Sequence, residues 1–250
     1  SLILFPTPSS FEVRLDQVVR RLPTPAAAAD EPFRLVRLDG GGDRTILSAL
    51  IARVRGSGLA AADAAVEAMD GEEVLAAYRD LFTDMAFYDT PPREFELVSL
   101  TFEAVVSAAA FAQLKRHRLA TLLAGPYDPG LGVTVPPAIH EAGLAQDLLD
   151  LAAAANRLHR RLEPRLGRAA DYVLSGGHRR RVVVEMNLRE VYHFVRLRDD
   201  AHAQWDIRRL AAAVGREATR LLPGAALMLC GKSDFSVRQG EIYGPPQRVT

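Results

Sequence analysis

Three short runs in the chain carry side chains whose types and spacing could do chemistry. Arg116-His117-Arg118 gathers three cationic or protonatable groups at the end of an Ala-rich stretch and beside a breaker-rich loop. Guanidinium forks donate paired hydrogen bonds to phosphate oxygens, so the triplet suits a diphosphate. Farther on, Arg189, His193 and Arg196 fall at i, i+4 and i+7 and share a helix face beside the apolar Val191, Phe194 and Val195. Just beyond, His202 and Gln204 open another helix, whose free backbone N–H groups favour an anion or the polar edge of a ring. Each run also has a plain structural explanation: a solvated face for the second, a cap or a packed core histidine for His202. Arginine far outnumbers the two lysines, Lys115 and Lys232, so Arg-x-Arg triplets arise by chance and spacing alone assigns nothing.

Other chemistries find no support. The six histidines show no metal-ligand spacing and there is no Gly-x-Ser-x-Gly elbow, which removes the zinc- and serine-hydrolase readings. Asp39-Gly-Gly-Gly-Asp43 has acids at both ends and the spacing of neither common phosphate-cradling fingerprint, so it reads as a turn. His178-Arg-Arg-Arg181 reads as a turn and strand start carrying a solvated charge run, or as a contact with another subunit.

The elements that must position these groups follow from periodicity. Residues 1–33 read as an N-terminal arm, with a helix around Glu12 to Arg21 and a Pro-Thr-Pro-Ala connector. Leu47, Leu50, Ile51 and Val54, then Val74, Leu75, Tyr78, Leu81 and Phe82, recur at helical spacing before residue 85. After Thr90-Pro-Pro92 a strand is expected over Phe95 to Ala104, passing into a helix over Val105 to Lys115. Residues 119–137 hold Gly125-Pro126, Pro129-Gly130 and Pro136-Pro137, too many breakers for regular structure. A long helix is expected from Ile139 to Leu162 with Leu144, Leu148, Leu151, Ala155, Leu158 and Leu162 on its inner face. Tyr172-Val-Leu174 and the β-branched run from Val182 flank Ser175-Gly-Gly-His178 and suggest a hairpin or neighbouring strands. Helices over Leu188 to Arg198 and Ala201 to Leu222 complete an α+β chain without visible internal repeats.

Composition sets the frame. At 250 residues, 48% apolar and 25% charged, the chain is a soluble globular protein of one large domain or two small ones. Lys+Arg 31 against Asp+Glu 31 leaves no net charge to draw it to nucleic acid or an anionic membrane. The lone Cys230 excludes an intrachain disulfide and a thiolate zinc cluster, and points to a reducing compartment. No apolar run reaches the roughly 18 residues of a membrane helix. Ser1-Leu-Ile-Leu-Phe-Pro6 lacks the basic and long apolar regions of a signal peptide, so a cytoplasmic location is expected.

Taken in order, Phe95-Glu-Leu-Val-Ser-Leu-Thr-Phe102, Gln113-Leu-Lys-Arg-His-Arg118, Asn187-Leu-Arg189, His193-Phe194, Leu197-Arg198 and His202-Ala-Gln-Trp-Asp-Ile207 resemble successive blocks of the flavin-dependent thymidylate synthases (ThyX). The resemblance covers residues 86–222, within a ThyX-like domain expected over 34–250. It implies helices packed on a small antiparallel or mixed sheet, and a homotetramer whose subunits share each site. It further implies that Glu96, Arg116, His117, Arg118, Asn187, Arg189, His193 and His202 contact FAD. Gln113 and Arg198 match residues that approach the nucleotide or the reacting flavin edge, and are the implied catalytic pair.

The substrate segment departs from the family. Where the family has Ser and Arg, Leu122-Leu-Ala-Gly-Pro-Tyr-Asp-Pro129 puts Pro126 and Asp128, and the place of a second phosphate-binding Arg falls on Asp171. A unit charge pair about 4 Å apart at an effective dielectric of about 20 is worth roughly 4 kcal/mol. Two reversals therefore weaken dUMP binding by orders of magnitude even after screening. Three readings follow. In the first, FAD is kept and the substrate altered, with Asp128, Asp171 and Gln204 as recognition groups. The second is ordinary thymidylate synthase chemistry, from dUMP, methylenetetrahydrofolate and NADPH, and the third a non-catalytic paralogue that assembles with a second ThyX-like chain or domain.

Overall fold

The computed structural model describes residues 9–24 and 31–244, so most of the expected Pro-Thr-Pro-Ala connector lies outside the described residues. Helix α1 (Ser10–Val19) starts at a capping box between Ser9 and Glu12 and buries none of its residues, so local signals alone define it. Strand β1 (Phe33–Asp39) is followed by Gly40, Gly41 and Gly42, all at positive φ, where a Cβ on Gly40 would sit 2.2 Å from the Leu97 carbonyl oxygen. The chain then makes α2 (Asp43–Arg55), α3 (Leu59–Glu67) and α4 (Gly71–Phe82), the last begun by an Asp70–Glu73 capping box. A 3₁₀ turn over Arg93–Leu97 leads into β2 (Ser99–Ser107), α5 (Ala108–Leu114) and β3 (Thr121–Tyr127). Next come α6 (Pro137–Glu141), α7 (Ala145–Leu166), β4 (Arg179–Asn187), α8 (Leu188–Arg198), α9 (Trp205–Leu221) and α10 (Phe235–Tyr243).

The four strands form one antiparallel sheet in the order β1-β2-β4-β3. Strand period decides its faces. Leu100, Phe102, Ala104 and Val106 of β2 and Val182, Val184 and Met186 of β4 are buried in a core shared with α2, α4, α8 and α9. On the opposite face Arg34 pairs with Glu103 at 2.8 Å across the β1–β2 register. Tyr78, Phe82, Phe95 and Tyr192 pack together at centroid distances of 6.1 to 6.5 Å, Tyr78 and Phe82 stacked and the other pairs tilted or edge-to-face, tying α4 to α8. Asp43 ties the start of α2 to the segment after α9: its carboxylate accepts from the Gly224 and Ala225 N–H groups at 2.8 and 2.9 Å, and Tyr78 donates to its carbonyl at 2.7 Å.

The α+β architecture agrees with the periodicity; several local expectations do not. Residues 121–127 are an edge strand rather than irregular chain, because β4 supplies ladder partners on either side of a register break that absorbs Gly125-Pro126. Tyr172-Val-Leu174 makes no strand; residues 167–173 coil as a 3₁₀ helix, and β4 pairs with β2 and β3 instead. Gly143 at φ 73° splits the expected long helix, and the face of α7 turned inward is that of Ala152 and His159, leaving Leu151 68% exposed. Phe95 to Leu97 belong to the 3₁₀ turn, residues 105–107 to β2, and α9 starts at Trp205 rather than Ala201. The charge run from His178 is not solvated throughout: His178 and Arg180 are both buried.

Candidate functional site

Four segments converge on one pocket of about 370 Å³. The β4–α8 junction contributes Asn187, Arg189, Glu190 and His193; the turn after α5 contributes Arg116, His117, Arg118 and Leu119; the 3₁₀ turn and the loop before it contribute Glu96 and Thr90. Local sequence explains the junction. The Asn187 side chain accepts from the Glu190 N–H at 2.9 Å, an N-cap that turns the chain directly from strand β4 into helix α8. Leu188, Val191, Phe194 and Val195 anchor the other helix face in the core.

Charges are unevenly paired around this pocket. Glu96 meets Arg189 Nη1 at 2.9 Å and Arg93 Nη2 at 3.2 Å, and Arg189 Nε donates to the Pro91 carbonyl. Arg93 first, and then Arg189, hold the Glu96 carboxyl below its usual range. Arg116 and Arg118 are exposed and pair with no carboxylate among the described residues. His117 is buried, with Nδ1 2.9 Å from Glu190 Oε1, while Arg198 Nε donates to its Nε2 at 3.1 Å and Arg198 Nη1 donates to Gln113 Oε1 at 3.3 Å. Desolvation, reinforced by His117, Arg196 and Arg198 and opposed by Glu190, lowers the His193 pKa, favouring a neutral ring at the pocket wall. Seven of the anticipated cofactor contacts thus line a single pocket, with Gln113 and Arg198 wired to its floor through His117.

The remaining anticipated residues lie elsewhere. His202 is exposed in the turn before α9, its N–H donating to Asp200 Oδ1. Gln204 caps α9 with its own side chain, accepting from the Asp206 and Ile207 N–H groups, so those donors are already used. Asp128 closes a turn by accepting from the Gly130 N–H at 2.7 Å. Asp171 lines a second pocket of about 370 Å³ with Tyr127, Arg168, Tyr172 and Ser175, and its Oδ1 lies 3.0 Å from Nε2 of the buried His159. Arg168 has no carboxylate partner among the described residues. Glu190 and His159 are polar groups that reading the sequence did not single out. Asn187-x-x-Glu190 has capping-box spacing, and its Asn does cap, but the Glu turns to His117 instead of back to the cap.

Comparisons with known proteins bear on the chain as a whole. The family described as "Thymidylate synthase complementing protein" (Thy1) matches residues 34–224, so the match reaches well upstream of residue 86. UPF0159 protein Ta1429 of Thermoplasma acidophilum is 29% identical over 172 residues, 68% of this chain and 34% of that protein. The flavin-dependent thymidylate synthase of Sulfolobus acidocaldarius is 35% identical over 127 residues, 47% of this chain and 48% of that one. The chain thus spans about a third to a half of the length of these curated relatives. Among solved structures, the UMP/dUMP methylase PolB from Streptomyces cacaoi, bound with 5-Br dUMP, superposes with a TM-score of 0.63 at 19% identity, covering 80% of this chain and 95% of that one; at that identity the likeness concerns the fold.

Proposed function

The chain belongs to the thymidylate synthase complementing protein (ThyX) family as a divergent member, and from that premise we propose that it is a FAD-binding, nucleotide-modifying enzyme whose phosphate recognition has been altered. The observation that carries this reading is the convergence of Glu96, Arg116, His117, Arg118, Asn187, Arg189 and His193 on one pocket. The donor set fits the group. Arg116 and Arg118 are exposed cations without carboxylate partners among the described residues, as a diphosphate requires. Asn187 and the His193 ring offer polar edges beside them. A pocket of about 370 Å³ lies at the small end for ligand clefts and takes part of a dinucleotide; the rest extends over exposed surface or a second subunit.

FAD when bound would supply the hydride that completes one-carbon transfer from methylenetetrahydrofolate to a pyrimidine, with NADPH as the source of electrons. The chain's own residues bind and orient. Arg198, fixed on two sides by His117 and Gln113, presents the rest of its guanidinium to polarise a carbonyl or stabilise developing negative charge. Arg116 and Arg118 neutralise phosphate, and Glu96 holds Arg189 against the pocket wall. Asp128 and Asp171 stand where the family's substrate-phosphate cations belong, which favours a substrate without that phosphate. Ordinary thymidylate synthase activity is the second reading, favoured by one observation: Arg168 lines the Asp171 pocket as a cation without a carboxylate partner among the described residues.

In this reading residues 34–250 form the ThyX-like domain, 1–33 an arm, and the cytoplasmic enzyme is a homotetramer with shared sites. The visible absorption spectrum of purified protein, before and after adding FAD and removing the excess, tests it. A bound-flavin spectrum supports either enzyme reading, and colourless protein that retains no FAD sinks both. Thermal stabilisation by dUMP then separates them, because a ligand raises stability in proportion to its occupancy of the folded state. No shift with dUMP is expected for altered phosphate recognition.

A further inference from the structure

Glu190 is a carboxylate 3% exposed, and its side-chain contact is the His117 ring, 2.9 Å away at Nδ1. A buried carboxylate is costly unless something donates to it. The other ring nitrogen settles which form of His117 does so. Arg198 Nε carries a hydrogen and donates to His117 Nε2 at 3.1 Å, so Nε2 must hold a lone pair, and the ring proton must sit on Nδ1 facing Glu190. An imidazolium would set two N–H groups head to head at Nε2, and the opposite tautomer would add a lone pair facing the carboxylate at Nδ1. One proton position satisfies both contacts.

We infer that Glu190 is a positioning residue that locks His117 as its Nδ1–H tautomer, and through His117 aims the Arg198 guanidinium and Gln113 at the flavin-side pocket. Glu190 lies on the first turn of α8, Arg198 at the last residue of the same helix, and His117 on the turn after α5. The relay therefore ties two elements together across the pocket floor, and Glu190 itself also lines the pocket. Glu190 faces the His117 ring, whose far nitrogen meets Arg198 and whose centre lies 5.6 Å from that of His193, with Arg116 and Arg118 on the rim. The inference rests on the FAD reading above for its functional consequence, but the tautomer is a property of the protein alone.

The test uses the full chain labelled with ¹⁵N-histidine, with the His117 signals identified by their loss in His117→Gln. Without FAD, the ring nitrogens should report a protonated Nδ1 and an unprotonated Nε2. Glu190→Met made together with Arg198→Met, which removes the donor at Nε2, should release the ring to the other tautomer or to a mixture, and Glu190→Met alone should weaken FAD binding by about tenfold or more. Glu190→Gln keeps an oxygen that can accept from Nδ1–H and should keep both the tautomer and FAD affinity within a few-fold. Arg198→Met should leave the tautomer unchanged. An Nε2–H ring in the unsubstituted protein overturns the proposal, as does an intact Nδ1–H signature in the protein carrying both Glu190→Met and Arg198→Met, whatever happens to FAD. Should that protein fail to fold, loss of the tautomer in Arg198→Met alone is equally decisive. Protein with the expected tautomer that never binds FAD counts against the FAD reading and leaves the positioning role standing.

Discussion

His178 shows how a single side chain couples stability to pH. Its ring is fully buried with both nitrogens engaged: Nδ1 accepts from the Ser175 N–H at 2.9 Å and Nε2 faces Asn156 Oδ1 at 2.9 Å. Burial first, helped by His159, lowers its pKa from the ordinary 6.5, so the neutral ring is the native form. Below 6.5 the unfolded chain binds a proton that the folded chain resists, and stability there rises with pH. The contribution of His178 is complete above pH 6.5 and is lost as pH falls toward the lowered folded value. His178→Gln should therefore flatten that part of a stability–pH curve measured by urea unfolding, and an unchanged slope would assign the acid sensitivity to another group. Arg118 is the contrasting case, exposed and without a carboxylate partner among the described residues. Arg118→Ala should leave the unfolding temperature unchanged and weaken FAD retention by about tenfold or more, the loss of a charge-assisted hydrogen bond. Equal retention by equilibrium dialysis would mean the triplet has another job.

At the scale of elements, Arg180 pins an edge strand. Its guanidinium lies between the Phe111 and Tyr127 rings, 4.7 and 4.5 Å from their centroids, and donates to the Gly125 carbonyl. Arg180→Met removes the stacking and the hydrogen bonds at similar side-chain length and should destabilise the chain by about 2 kcal/mol in urea unfolding. Amides of residues 121–127 should show the largest gain in hydrogen exchange. This strand was hidden in the sequence because Gly125-Pro126 punctuates it and its pairing partner lies some fifty residues downstream. Helix α8 was legible to the residue, because the Asn187 cap, the apolar spacing and the end at Arg198 are all local. The cationic groups of the pocket were legible by type, and their convergence followed only from the family resemblance. The misread face of α7 has a different cause. Periodicity reports that a stripe is apolar, and says nothing of whether this chain or another covers it.

That stripe matters for the molecule as a whole. Leu144, Leu149, Leu151, Leu158 and Leu166 are all exposed on or beside α7, at 43 to 68%, which is much apolar surface for one helix to leave in water. In the proposed homotetramer a neighbouring subunit would cover part of it. Light scattering should accordingly give a mass that is a multiple of 27.3 kDa, and Leu151→Glu should shift it toward the single chain without altering the circular dichroism. A monomer at all concentrations would remove the shared-site part of the proposal. The sheet order β1-β2-β4-β3 has a consequence for how this chain is made. Strand β3 leaves the ribosome before β4 but borders nothing else in the sheet, so it stays unpaired until β4 emerges and wedges between it and β2. About 60 residues separate the ends of the two strands. At about 5–20 residues per second that is a wait of about 3–12 s, in which the Leu122 and Leu123 edge and one side of β2 stand open to chaperones or to other nascent chains.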